Sequence, residues 1–216
     1  MIILHIGLPK TASSKLLDYI DKYTDISTIK GSWDELSMSE ALNFNYNSLS
    51  HNNNYFIKSP DFITNKELPK LIERINQSGH QIKLILGVRD IVNMSYSLYN
   101  HWHKRNELQI GNKCPLDTYN ISLSPFFLNI NTHISFLKKY DTIIYNIDNY
   151  KGTWQSFFSD LFKLLEIKVD IKNLVDEKID IPTYMDIDNL EKNITDIIII
   201  REIYNNYFEG KTIFKI

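Results

Sequence analysis

Cysteine is almost absent from this chain, with Cys114 standing alone among 216 residues. A single thiol excludes an intramolecular disulfide framework and a thiolate metal cluster, and it fits a reducing compartment. Strong charge of either sign is also missing: the formal net charge is −2 and the pI is near 6.3. Nothing in that balance recommends nucleic acid or an anionic membrane as a partner, so any anion site must be local. Long apolar runs are lacking too. The opening segment Met1 to Ile6 has no basic stretch before it and is far too short for a signal-peptide core or a membrane span. These absences lead to the expectation of a soluble, cytoplasmic, prokaryotic protein without stable membrane insertion, and they leave its oligomeric state open.

What is present fits one domain over residues 1–216, since 43% hydrophobic content in a chain of this length can bury a sizeable core. Ile2 to Ile6 is an apolar run closed by Gly7 and Pro9, which predicts a buried parallel strand ending in a tight loop. A helix is expected from about Ser13, with Leu16, Leu17 and Ile20 on its inner face. Tyr55 to Ile57 and Ile82 to Val88 predict further strands, each followed by polar residues and then helical periodicity. Helices are expected over Asp90 to Lys104, Phe126 to Lys139, Trp154 to Leu165 and Asp188 to Phe208, with a strand over Thr142 to Ile147. The alternation predicts an α/β fold, a three-layer α/β/α arrangement around a mainly parallel sheet. The asparagine- and serine-rich stretch Asn43 to Asn54, and Lys168 to Asp188 with Pro182, are expected to be loops. Asparagine is abundant along the whole chain, as an A/T-rich coding sequence produces, so its crowding carries no prion-like reading.

Gly7-Leu8-Pro9-Lys10-Thr11-Ala12-Ser13-Ser14 lies between the first strand and the first helix, where backbone amides and the helix dipole make an anion site. Lys10 can place an ammonium beside the anion, and the hydroxyls of Ser13 and Ser14 can donate to phosphate oxygens. The structural alternative is a serine-capped helix after a prolyl turn with Lys10 solvated. The nucleotide-triphosphatase loop is not met, because there is no Gly-Lys pair and the lysine comes early.

A second constellation follows the strand Leu84 to Val88. Arg89, one of only four arginines, stands at its carboxyl end, where open α/β sheets bind ligands, and its rigid fork suits phosphate. Ser97 lies eight residues further on. The alternative reading is a structural arginine beside a helix-capping Asp90.

Together these segments resemble the sulfotransferase family. Its 5′-phosphosulfate loop, written Pro-Lys-Ser/Thr-Gly-Thr/Ser-Thr/Ser, is matched at Pro9, Lys10, Thr11, Ser13 and Ser14. Ala12 replaces the glycine, and a right-handed helical start at that position would tolerate the alanine. Arg89 and Ser97 match the family's 3′-phosphate signature, with Ile91 replacing its usual proline. Tyr55-Phe56-Ile57-Lys58-Ser59-Pro60 is similar to the Glu-Lys-Ser/Thr-Pro segment of the heparan-type and bacterial carbohydrate enzymes. Asn146-Ile147-Asp148 stands where the family usually has Tyr-Glu-Asp.

The resemblance implies a P-loop-like fold and 3′-phosphoadenosine-5′-phosphosulfate as co-substrate, with no metal. It implies that Lys10 meets the bridging oxygen, that Thr11, Ala12, Ser13 and Ser14 hold the 5′-phosphate, and that Arg89 and Ser97 hold the 3′-phosphate. Lys58 would lie near the transferring group. Counting forward from Lys10 to the family's catalytic glutamate lands near Ser32, so Glu35 and Asp34 are the preferred general bases. His101 and His103, on either side of Trp102, are the rivals, with His101 ranked behind Glu35 and Asp34. The implied acceptor is a carbohydrate or other small hydroxylated molecule. Two other classes remain open on these residues: a nucleotide or small-molecule kinase, which would need metal and triphosphate, and a nucleotide- or glycan-binding protein without catalysis.

Overall fold

The structure, a computed structural model, describes residues 1–8, 11–31, 35–59, 62–94, 97, 126–169, 177–179 and 195–216. Its centre is a six-stranded sheet made of β1 (Ile2–His5), β2 (Ser27–Ile29), β3 (Tyr55–Lys58), β4 (Ile82–Val88), β5 (Asp141–Asn146) and β6 (Ile213–Lys215). The spatial order is β2-β3-β1-β4-β5-β6; every pairing is parallel except β5 with β6. An α/β architecture with a mostly parallel sheet is therefore present, and one antiparallel edge strand is added to it.

Alternation along each strand divides the side chains between two cores. Ile2, Leu4, Tyr55, Ile57, Leu84, Leu86 and Ile144 join one core, and Ile3, Phe56, Ile85, Ile143 and Tyr145 join the other. The second core is covered by α1 (Ser13–Tyr23) and a later helix over Trp154–Leu165. As the periodicity predicts, α1 buries Leu16, Leu17 and Ile20. The first core is covered by α2 (Met38–Asn43), α3 (Leu68–Gln77), α4 (Ile130–Leu137) and the last helix, Thr195–Phe208. The helices over Trp154–Leu165 and Thr195–Phe208 are labelled α5 and α6.

Several expected boundaries move. The helix expected over Phe126 to Lys139 is broken at Asn129, which ends a short helical turn before α4 begins. Ile147 leaves the strand for a 3₁₀ turn, Ile147–Asn149, because the Asn146 side chain accepts the Asp148 amide at 3.2 Å. Residues 91–94 are helical, as is Ser97; the rest of the helix expected over Asp90 to Lys104, and residues 188–194 of the last one, lie outside the described residues. Among the described residues no helix is long and apolar enough to cross a membrane.

The strand order singles out one edge of the sheet. From β1 the chain moves outward to β2 and returns through β3, whereas from β4 it moves to the opposite side towards β5. The connections leaving β1 and β4 diverge, so the carboxyl ends of these neighbours form the topological switch point where open α/β sheets place ligands.

Candidate functional site

Three polar segments meet at this carboxyl edge, one from each of three adjacent strands. The loop after β1 leads into α1, Lys58 closes β3, and Arg89 follows β4. Since β1 lies between β3 and β4, Lys58 and Arg89 flank the loop from its two sides.

The loop is tied down by Leu8, whose amide donates to the Gly87 carbonyl at 3.1 Å, and by Thr11, whose hydroxyl donates to the Leu8 carbonyl at 2.7 Å. Ala12 occupies the N-cap position of α1 with φ 67° and ψ 19°, a left-handed conformation. The expectation of a right-handed start at Ala12 is thus overturned. The loop needs positive φ at this point, and a residue with a Cβ adopts it only under strain. The serine-capped alternative also fails: no side chain caps α1 and no acidic residue lies in its first turn. By contrast, α2 and α5 both begin with complete capping boxes, Ser37 with Glu40 and Thr153 with Ser156. An uncapped amino-terminus leaves main-chain donors and the positive end of the dipole for another acceptor.

Replacing Ala12 with glycine should therefore stabilise the fold. Relief of left-handed strain, less the extra freedom glycine gives the unfolded chain, leaves about 0.5–1 kcal/mol. In a chain of this size the melting temperature should rise by about 1–4 °C. An unchanged or lower melting temperature would mean that Ala12 is not left-handed in solution.

Lys58 is buried, with only 3% of its side chain exposed, and its Nζ donates to Ser14 Oγ at 3.0 Å and pairs with Glu35 Oε1 at 2.8 Å. The segment carrying Glu35 is anchored by the amide of Leu36, which donates to the Lys58 carbonyl at 3.0 Å. Gly31 makes this turn possible, because a Cβ there would lie 2.5 Å from the Glu35 carbonyl oxygen and 2.8 Å from Glu40 Oε2. Ser14, Lys58 and Glu35, far apart in sequence, are thus brought into one hydrogen-bonded group at the start of α1. Ser13 is buried beside them, and Ser14 is exposed to solvent.

On the other flank, Arg89 is 4% exposed and its Nε donates to Asp148 Oδ1 at 2.9 Å. The second Asp148 oxygen receives the Asp90 amide at 2.7 Å. Burial pushes the Asp148 carboxyl up, against the opposing pull of the Arg89 guanidinium and the Asp90 amide. Asp90 Oδ1 accepts the amides of Val92 and Asn93, which starts the helical turn over residues 91–94. Asp90 Oδ2 also meets Arg201 Nε from α6 at 3.4 Å. Ser97 is helical and partly buried downstream of Arg89. Lys10, Asp34 and His101 lie outside the described residues.

The site includes groups that motif reading did not single out. Asp148 orients Arg89, and Arg201 reaches the same edge from α6. Beneath the loop His5 is fully buried, and its Nε2 lies 2.9 Å from the Tyr145 hydroxyl. A signal for the last pair exists in the sequence: His5 closes the apolar run from Ile2 and Gly87 interrupts the run Leu84 to Val88, and glycine inside a strand marks a close approach.

Burial, reinforced by the nearby Lys58 charge, depresses the His5 pKa from 6.5 to about 3. An unfolded histidine binds a proton near pH 6.5 while folded His5 stays neutral, so its contribution to stability is complete above that pH and is lost as the pH falls towards 3. Between those limits the loss should approach about 1.4 kcal/mol per pH unit. Denaturant titrations from pH 7 to 5 should show this slope, and His5→Gln should reduce it; a slope unaltered by that substitution would place the acid sensitivity elsewhere.

No protein-family model matches the chain, and no curated protein matches it in sequence.

Proposed function

We propose that the chain is a sulfotransferase that moves a sulfuryl group from 3′-phosphoadenosine-5′-phosphosulfate to a hydroxyl or amine of an acceptor, with carbohydrate as the favoured acceptor class. The observation that carries this reading is the Ser14–Lys58–Glu35 group at the uncapped start of α1. It joins a hydroxyl donor, a buried cation and a carboxylate at a strand-loop-helix anion site, and Arg89 flanks the same loop at the end of the adjacent strand.

In this reading the α1 amides and Ser13 and Ser14 hold the 5′-phosphate and the sulfate oxygens. Lys58 and Lys10 stabilise the charge that develops on the bridging oxygen as the phosphosulfate S–O bond breaks. Glu35 removes the acceptor proton as the new S–O bond forms, which gives a sulfate ester, 3′-phosphoadenosine-5′-phosphate and a protonated carboxyl that returns its proton to water. Arg89 and Ser97 bind the 3′-phosphate, with Asp148 fixing the guanidinium. In-line transfer asks for positioned charge rather than for a covalent intermediate, which suits a site built from hydrogen-bonded side chains.

The test is thermal stabilisation by nucleotides followed by transfer. At a hundred times its dissociation constant, 3′-phosphoadenosine-5′-phosphate should stabilise the protein by about 2.7 kcal/mol, raising the melting temperature by about 5–10 °C. Stabilisation by magnesium-ATP and not by this nucleotide would replace the sulfotransferase reading with a kinase. The strained Ala12 is the observation that favours a non-catalytic relative; nucleotide binding without transfer of labelled sulfate to any member of a broad acceptor panel would establish it.

A further inference from the structure

The strands under the loop contain a buried polar chain that the proposed reaction does not use. His5, Gly87 and Tyr145 alternate onto the same face of the sheet as Ile3, Ile85 and Ile143, the face that α1 covers. Tyr145 belongs to β5 and reaches across β4 to His5 on β1. It can cross only because Gly87 has no side chain: a Cβ there would lie 2.5 Å from Thr11 Oγ1 and 2.6 Å from the Tyr145 oxygen. Gly7 clears the same space, since its Cβ would lie 2.6 Å from His5 Cε1.

The direction of each hydrogen bond follows from the two ends of the chain. The Leu8 carbonyl can only accept, so the Thr11 hydroxyl spends its proton there, at 2.7 Å. That leaves Thr11 Oγ1 with acceptor capacity only, in the space above Gly87 that it shares with the Tyr145 hydroxyl: a Cβ on Gly87 would lie 2.5 Å from one oxygen and 2.6 Å from the other. At the other end the Gly7 amide donates to His5 Nδ1 at 3.4 Å, so in the neutral ring Nε2 carries the proton and donates to the Tyr145 oxygen at 2.9 Å. The Tyr145 proton is then left for Thr11.

We propose that His5 and Tyr145 are positioning residues for the anion loop: a neutral Nε2–H imidazole sets a one-way chain, His5 to Tyr145 to Thr11 to the Leu8 carbonyl, that holds the loop in its left-handed turn at Ala12. The chain uses groups from β1, β5 and the loop itself, so it couples the turn to the sheet instead of leaving it to local propensity. It offsets the strain at Ala12, whose left-handed conformation nothing in its own side chain favours. The loop conformation belongs to this inference; its ligand belongs to the sulfotransferase reading on which the binding arm below rests.

The experiment is nitrogen NMR on labelled protein together with the Tyr145→Phe and Thr11→Val variants. In the wild-type protein without nucleotide, the His5 ring should show a protonated Nε2 and a bare Nδ1 that do not change between pH 8 and 5. Either hydroxyl deletion should speed amide exchange in residues 8–14 at least about tenfold while exchange in the middle of β4 changes far less. Affinity for 3′-phosphoadenosine-5′-phosphate should fall about tenfold in the same variants. A proton on Nδ1, titration of His5 within that pH range, or unchanged exchange in the loop would overturn the proposal. If Tyr145→Phe fails to fold, Thr11→Val alone decides, because it alters only the loop end of the chain. Should wild-type protein bind no nucleotide, the sulfotransferase reading falls, and the tautomer and exchange results still decide the positioning role.

Discussion

On the proposed sulfotransferase reading, Glu35→Gln is expected to lower sulfuryl transfer at least about a hundredfold while leaving affinity for 3′-phosphoadenosine-5′-phosphate unchanged or slightly raised. The two effects have opposite signs because the carboxylate has two partners at different stages. With Lys58 it forms a 2.8 Å ion pair that satisfies the buried ammonium. An incoming phosphosulfate competes for that ammonium, so part of its binding is offset by the lost pair. Glutamine weakens the competition and keeps the shape. Glu35 is 36% exposed, which limits the pair to about 1 kcal/mol or less and the gain in affinity to about fivefold. The rate loss has a separate origin, since an amide cannot take the acceptor proton. Lys58→Ala should differ in kind by losing rate and affinity together, because the cation serves the ground state and the transition state. Single-turnover transfer with calorimetry on the same preparations separates the cases. Near-normal transfer by Glu35→Gln would remove it as the base; if His101→Ala were inactive instead, the base would be the histidine.

How much of this could be read in advance depended on whether the signal was local. β1, β4 and α5 are long or strongly patterned, and their apolar periods announce them. β2 and β6 are three residues each, shorter than any alternation can reveal, and they exist because neighbouring strands offer a ladder edge. Glu35 emerged only by counting from Lys10, since nothing in its own neighbourhood distinguishes it; its meeting with Lys58 depends on Gly31 and on the Leu36 amide bonding to β3. Ala12 was misread because alanine favours helix intrinsically, and here the loop's tertiary ties overrule that preference. Asp148 was visible only as a departure from the expected Tyr-Glu-Asp unit. Its function as partner of Arg89 comes from the parallel pairing of β4 with β5, which puts the two strand ends side by side.

That pairing changes how Arg89 has to be tested. The guanidinium should contribute about 2–4 kcal/mol to binding of 3′-phosphoadenosine-5′-phosphate and almost nothing to binding of adenosine-5′-phosphosulfate, which lacks the 3′-phosphate. A simple Arg89→Ala variant would also strand Asp148, a carboxylate that burial already disfavours. The expected destabilisation is about 3 kcal/mol, enough to mimic a binding defect by unfolding part of the protein. Pairing the change with Asp148→Asn removes the stranded charge and retains an acceptor for the Asp90 amide. The double variant should regain much of the lost stability and none of the lost affinity. Ser97→Ala, acting through one hydroxyl, should cost about 1 kcal/mol of 3′-phosphate binding with the fold intact. Calorimetry with both nucleotides on the double variant reads the result directly. A fall of thirtyfold or more for the 3′-phosphorylated nucleotide, with less than about threefold for the other, assigns the 3′-phosphate to Arg89. Equal losses would mean that Arg89, clamped by Asp148, holds the carboxyl edge together and that the 3′-phosphate is bound elsewhere.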